Sequence, residues 1–231
     1  MKKRIAIVED EPALRDNYAD ALRREGYAVE TFANRRDALA ALGQRLPDLV
    51  LLDIGLGDEA EGGFELCREL RARSKSLPII FLTARDSDLD VISGLRLGAD
   101  DYLTKDISLP HLLARLNAFF RRMEALSAVQ DSEAVVQRGP LRMDVNRLVM
   151  FWRDQAVELT LTEFWMVHAL AYRPGHVKNR DQLMQEARIV VDDATITSHV
   201  KRIRNKFLAI DKTFDAIDTV YGAGYRWVER G

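Results

Sequence analysis

Residues Leu49-Val50-Leu51-Leu52-Asp53 place four aliphatic side chains in succession and end on a carboxylate. Pro47-Asp48 precede them and a glycine-containing segment follows. An apolar run of this length, bounded by turn residues, predicts a strand buried on both faces. Asp53 then lies at the carboxyl end of that strand, the edge at which open α/β sheets hold their ligands. A lone aspartate at such a point is an ordinary turn former. The ends of the neighbouring strands give it another meaning.

Outward from this stretch, strands and helices alternate. Strands are predicted at Arg4–Val8, Tyr27–Phe32, Asp48–Asp53, Pro78–Thr83 and Asp101–Thr104. Helices are predicted at Pro12–Glu25, Arg35–Leu42, Phe64–Arg73, Leu89–Leu97 and Leu109–Arg122, with Gly26 and Gly98 as stops. Five βα repeats in about 120 residues imply a parallel sheet with helices on both faces. Its strands end in Glu9-Asp10, Asp53, Thr83 and Thr104-Lys105. Three carboxylates on one edge repel one another and call for a cation. Hard oxygen donors that leave room for water and phosphate oxygens suit Mg²⁺. Lys105 and Thr83 supply a charge and a hydroxyl for the other oxygens of a phosphoryl group, and Asp53 is placed as the nucleophile.

Val8-Glu9-Asp10-Glu11, Leu51-Leu52-Asp53, Leu82-Thr83-Ala84 and Tyr102-Leu103-Thr104-Lys105, in this order and spacing, resemble the receiver domain of bacterial two-component response regulators over about residues 1–122. The resemblance implies a flavodoxin-like fold and a phosphoacceptor at Asp53. It implies Mg²⁺ held by Glu9, Asp10, Asp53 and the carbonyl of Gly55, a switch pair Thr83 and Tyr102, and Lys105 on the phosphoryl group. It also implies a dimer face, with Leu95 and Leu116 as an apolar patch and Asp100, Asp101 and Arg115 as ion-pair partners. Two departures stand out. Ile54 to Gly63 lacks the family's proline after Asp53, is slightly longer, and adds Asp58, Glu59 and Glu61, which should weaken phosphate retention if they face the site. Asp106 stands where the family has a cis proline after the lysine, so the Lys105–Asp106 bond is expected to be trans.

Composition bounds the rest. The 231 residues are 47% hydrophobic and 30% charged, a soluble globular balance with room for two domains. No apolar run reaches membrane-spanning length, and Cys67 is the only cysteine, so a reducing, cytoplasmic setting with no membrane partner is expected. The histidines and Cys67 show no zinc spacing. Residues 1–132 hold 19 basic and 23 acidic side chains, whereas 133–231 hold 15 and 13. The second half is therefore mildly positive, in keeping with an anionic partner.

From Gly139 the pattern changes. Short strands at Leu141–Asp144, Leu148–Arg153 and Ala156–Leu159 precede helices opening at Thr160 and spanning Arg180–Ala187 and Thr195–Leu208. The last helix sets Ile196, Val200, Ile203 and Phe207 on one face. Lys201, Arg202, Arg204 and Lys206 crowd the rest with Thr197, Ser198 and Asn205. Such a helix suits the DNA major groove. A hairpin follows at Ile217–Val220 and Tyr225–Val228. The segments Leu159-Thr160-Leu161-Thr162-Glu163-Phe164, Thr195–Phe207 and Thr219–Arg226 resemble the winged-helix output domain of the OmpR/PhoB family over about residues 136–230. Ala194 and Tyr221 stand where that family has phosphate-contacting arginines, so Arg204, Arg226 and the wing residue Tyr221 remain as expected contacts.

The resulting expectation is a non-enzymatic DNA-binding regulator: receiver 1–122, linker 123–137, winged helix 138–231. A sensor histidine kinase would phosphorylate Asp53, favouring a homodimer on double-stranded DNA, with RNA polymerase as a further partner. A phosphorylation-independent DNA-binding regulator, motivated by the acidic loop and Asp106, is one rival. A protein-interaction module with a degenerate winged helix, motivated by Ala194 and Tyr221, is another.

Overall fold

The computed structural model describes residues 2–85, 93–94, 97–127, 135–186 and 193–229. The chain divides into two compact units, residues 1–114 and 115–231. Among the described residues, no helix is long and apolar enough to cross a membrane.

In the first unit the strands β1 (Arg4–Val8), β2 (Ala28–Phe32), β3 (Leu49–Leu52), β4 (Ile79–Thr83) and β5 (Asp101–Thr104) form one sheet in the order β2-β1-β3-β4-β5. Every pairing is parallel. All four β3 residues are buried, as an apolar run flanked on both faces must be. The helices α1 (Pro12–Arg24), α2 (Arg35–Leu42) and α3 (Gly62–Arg73) follow the first three strands. Pro12 opens α1, where its missing N–H costs nothing, and Asn34 caps α2 by accepting from the Asp37 N–H. Phe64 and Leu66 of α3 join Val50, Leu52 and Phe81 in the core, with Phe64 edge-on to Phe81 at 5.4 Å. The strand order reverses between β1 and β3, so their carboxyl ends open the crevice in which such folds bind ligands. The helix predicted at 89–97 falls largely outside the described residues.

Helix α4 (Leu109–Ser127) runs five residues past its predicted end. In the second unit an antiparallel sheet β6-β7-β8-β9 comprises Val135–Arg138, Leu141–Asp144, Val149–Trp152 and Gln155–Val157. Helices α5 (Leu161–Tyr172), α6 (Arg180–Glu186) and α7 (Asp193–Ile210) follow, then the hairpin β10 (Ile217–Val220) and β11 (Gly224–Trp227). The stretch expected to be linker thus holds helix up to Ser127 and strand from Val135, while 128–134 lie outside the described residues. Strand β6 escaped the sequence pattern because it is an edge strand burying only Val136 of its four residues. Trp152, Phe207, Phe214 and Trp227 pack edge-on and stacked as the aromatic centre of this unit. The indole N–H of Trp152 donates to Asp211.

Candidate functional site

Asp53 follows β3 directly and is nearly buried. Its backbone N–H donates to the Val8 carbonyl at 2.9 Å, extending the β1–β3 pairing by one residue. Its side chain is fixed from two directions. Oδ1 accepts from the Ile54 N–H at 2.7 Å, and Oδ2 accepts from Lys105 Nζ at 2.6 Å. The same ammonium meets Glu9 at 2.8 and 2.9 Å. Lys105 is brought there because its backbone N–H donates to the Thr83 carbonyl at 2.8 Å, continuing β5 beside β4. The Lys105–Asp106 bond is trans, as expected for a residue without a pyrrolidine ring.

Carboxylate oxygens of Glu9, Asp10 and Asp53 lie within 4.8 Å of one another. Three carboxylates against one ammonium leave two negative charges uncompensated, which fits a divalent cation with oxygen ligands. The crowding is visible in Glu9. Burial pushes its carboxyl above the ordinary range, the Lys105 hydrogen bond pulls it back, and the Asp53 charge pushes it up again. Burial would depress the Lys105 ammonium, but its hydrogen bonds to Asp53 and Glu9 outweigh this and raise it. Thr83 is buried at the end of β4. Tyr102 is buried too, 6.0 Å from Phe81 between ring centres, and its hydroxyl donates to the Arg85 carbonyl at 2.8 Å.

Two participants at this edge had no signal in the sequence. Arg15 of α1 donates to the carbonyls of Glu9 and Asp10 at 2.8 and 3.1 Å, holding the acidic pair from behind. The Gly57 N–H donates to Asp10 Oδ2 at 3.0 Å, so the long loop after β3 is tied to the acidic pair. Both are main-chain matters that residue type does not announce.

The expected dimer face is corrected in two places. Asp100, only 2% exposed, forms an internal pair with the buried Arg71 at 2.7 Å and accepts from the Ile79 N–H, so it offers nothing to a partner. Leu116 is fully buried and contributes no surface patch. Asp101 is nearly buried, with Oδ1 accepting from the Tyr102 N–H. Arg115 is half-buried, and Leu95 lies outside the described residues.

The basic helix α7 is likewise divided. Arg202 and Lys206, expected on DNA, turn inward on the fully buried Glu163 of α5: Arg202 Nε on one carboxylate oxygen, Lys206 Nζ on the other at 2.6 Å. Arg202 is a structural cation, its side chain 12% exposed. Burial alone would raise the Glu163 carboxyl, yet the Arg202 and Lys206 charges lower it to about 2. Arg204 clamps the hairpin instead, donating to the Ile217 carbonyl at 2.9 Å and to Thr219 Oγ1 at 2.7 Å. Arg226 pairs with Asp218 at 2.7 Å. The exposed stripe of α7 is Thr197, Lys201 and Asn205, spaced four apart, with Ser198 half-buried at its side. Tyr221, 94% exposed, tops the hairpin. A cleft of about 620 Å³ between helix and hairpin is lined by Thr197, Lys201, Arg204 and Tyr221, and by Arg180, which sequence reasoning did not select.

Comparison with known proteins agrees with both units. The family model for the response regulator receiver domain matches residues 5–117, and that for the C-terminal part of transcriptional regulatory proteins matches residues 154–227. The chain is 38% identical over 227 residues to the transcriptional regulatory protein BaeR of Escherichia coli O6:H1, covering 97% of this chain and 92% of BaeR. It is 40% identical over 232 residues to the phosphate regulon transcriptional regulatory protein PhoB of Rhizobium meliloti, covering 97% and 98%. Among solved structures, the response regulator DrrB, a Thermotoga maritima OmpR/PhoB homologue, is similar with a TM-score of 0.53 and 27% identity, covering 99% of this chain and all of that one. A RitR mutant is similar in fold, with a TM-score of 0.77 at 24% identity and the same coverage.

Proposed function

Since the chain belongs to the OmpR/PhoB family of two-component response regulators, a receiver followed by a winged-helix unit, we propose that Asp53 is its phosphoacceptor and that phosphorylation sets its grip on promoter DNA. The observation that carries this reading is the Lys105 ammonium 2.6 Å from Asp53 at the crevice between β1 and β3, with Glu9 and Asp10 on the same edge.

A sensor histidine kinase is the donor. An Asp53 oxygen forms a bond to phosphorus as the phosphorus–nitrogen bond of the donor breaks, the electron pair staying on the imidazole. Lys105 leaves its carboxylate partners for a phosphoryl oxygen, and the Thr83 hydroxyl donates to another. Glu9, Asp10, Asp53 and the Gly55 carbonyl would hold Mg²⁺, which when bound supplies neutralising charge for the incoming dianion. Tyr102 follows Thr83, and the receiver's equilibrium shifts toward a homodimer that presents two winged helices to DNA.

Two measurements follow from the geometry. Mg²⁺ is expected to stabilise the receiver against urea, by about 1.4 kcal/mol at ten times its dissociation constant. Asp10→Asn should remove most of that gain, and an undiminished gain in the variant would exclude Asp10 as a ligand. On DNA, Lys201→Ala should weaken binding and make its salt dependence shallower by about one unit of log–log slope, the signature of one lost phosphate contact. An unchanged slope would take Lys201 off the interface. The functional reading itself is tested by titrating phosphorylated protein, unphosphorylated protein and Asp53→Asn against a duplex from the chain's own promoter region. Tighter binding of the phosphorylated form alone supports it, and equal affinity of all three overturns it.

A further inference from the structure

Of the four groups that would hold Mg²⁺, two depend on one short turn. Leu56 and Glu59 exchange backbone hydrogen bonds of 3.1 and 3.2 Å, closing a tight turn over Gly57-Asp58. Gly55, whose carbonyl is one of the four, leads directly into that turn. Asp10 is reached from its tip, where the Gly57 N–H donates to Asp10 Oδ2 at 3.0 Å.

The turn is anchored at a distance from the site. Arg35, the first residue of α2, holds the Glu59 carboxylate through Nε at 2.6 Å, and Nη1 of the same guanidinium meets Glu69 of α3 at 3.1 Å. One guanidinium therefore fastens the turn to two helices. β1 lies between β2 and β3 in the sheet. A turn that leaves β3 and is tied to the helix after β2 spans the end of β1, where Glu9 and Asp10 lie. We propose that the Arg35–Glu59 ion pair is a remote clasp on the cation site, holding the 56–59 turn so that Asp10 and the Gly55 carbonyl are in place for Mg²⁺ and so raising the affinity for that ion.

The inference rests on Glu9, Asp10, Asp53 and Gly55 holding Mg²⁺, and adds what keeps two of them in position. A carboxylate that binds a cation is oriented by the hydrogen bonds its oxygens accept, and losing such a partner weakens binding. Arg35 is a positioning residue, acting on Asp10 through Glu59 and Gly57. Its effect is bounded, because the two side chains are 31% and 45% exposed and an exposed ion pair is weak.

Charge alone predicts a different pattern. As a bare charge Arg35 repels Mg²⁺ and Glu59 attracts it. Removing Arg35 would then strengthen binding, and removing Glu59 would weaken it. A clasp predicts weaker binding from both changes.

The test is calorimetric titration of the full-length protein with MgCl₂ at fixed ionic strength. It compares the native chain, Arg35→Gln, Glu59→Gln and the double variant. Each single variant should bind Mg²⁺ about two- to five-fold more weakly, the reach of an exposed ion pair. The double variant should bind no more weakly than the weaker single one, because both changes cut the same link. Arg35→Lys keeps a cation beside Glu59 and should lie between Arg35→Gln and the native chain. Urea unfolding without Mg²⁺ checks that each variant keeps its fold, and Arg35→Lys carries the comparison should Arg35→Gln fold poorly. Tighter binding by Arg35→Gln, native affinity in either single glutamine variant, or losses that multiply in the double variant would overturn the proposal. A native chain that takes up no Mg²⁺ would instead overturn the metal-site reading, and this inference with it.

Discussion

Glu163→Ala is expected to destabilise the winged-helix unit by about 3–5 kcal/mol, the usual cost of stripping one partner from a buried ion pair. Glu163 is completely inaccessible, and its two oxygens serve Arg202, Lys206 at 2.6 Å and the Thr160 N–H at 2.7 Å. The last contact, with the Thr160 hydroxyl accepting from the Glu163 N–H, forms the capping box that starts α5. Alanine would remove the cap and leave the Arg202 guanidinium largely buried without its carboxylate. Because Arg202 also contacts His199 Nδ1 at 3.0 Å, the disturbance runs along α7 itself. Glu163→Gln preserves shape and cap while removing the charge, so it should lose less.

The same site gives a pH signature. The folded carboxyl lies at about 2, below its ordinary value, because the two cations outweigh burial. Its contribution is therefore complete above pH about 4.5 and disappears as pH falls toward 2, a total on the order of 3 kcal/mol. Urea unfolding of native protein and Glu163→Gln at a series of pH values should show this acid-limb difference shrinking through that window. A difference independent of pH would mean that the charge is not what Glu163 contributes.

Gly63→Ala is expected to damage the receiver where its chemistry is held. A Cβ on Gly63 would lie 1.9 Å from the Asp53 carbonyl oxygen and 2.8 Å from Ile54 Cα, both main-chain atoms that no rotamer change can clear. The first turn of α3 lies directly on the chain leaving β3, and the Gly63 N–H donates to the Ile54 carbonyl at 2.8 Å. Either the helix lifts or the Asp53–Ile54 segment shifts, at about 1–3 kcal/mol. A displacement of the acceptor near 1 Å carries a rate loss of about a hundredfold. The checks are the melting temperature and the rate of phosphoryl uptake from a small acyl phosphate. Gly57→Ala is the contrast: its φ of +64° adds strain of about 1–2 kcal/mol, but the added Cβ meets nothing within 4 Å. Equal uptake by native protein and Gly63→Ala would show that this packing does not position Asp53.

The receiver was legible because its signals are local. Four aliphatic residues before Asp53 leave little choice but a covered parallel strand, and short acidic, hydroxyl and lysine endings identify the edge without any knowledge of packing. The basic helix was legible only as a pattern. A lysine or arginine at a given turn looks the same whether it faces water or a buried carboxylate. Glu163, which decides this for Arg202 and Lys206, read only as part of a helix opening. Asp100 illustrates the same limit: its partner Arg71 is 29 residues away, and nothing in the local sequence pairs them. Strand β6 hides among polar residues because an edge strand with one buried side chain has no periodicity to show.

Phosphorylation of Asp53 is tested most directly by intact mass together with oligomeric state. Full-length protein and Asp53→Asn are treated with a small acyl phosphate and Mg²⁺, and with an active histidine kinase in parallel. The expected result is one phosphoryl group per native chain and a shift from monomer to dimer, with both changes absent from Asp53→Asn. Equal phosphoryl uptake by the variant, or a native chain that stays unmodified with either donor, would contradict it.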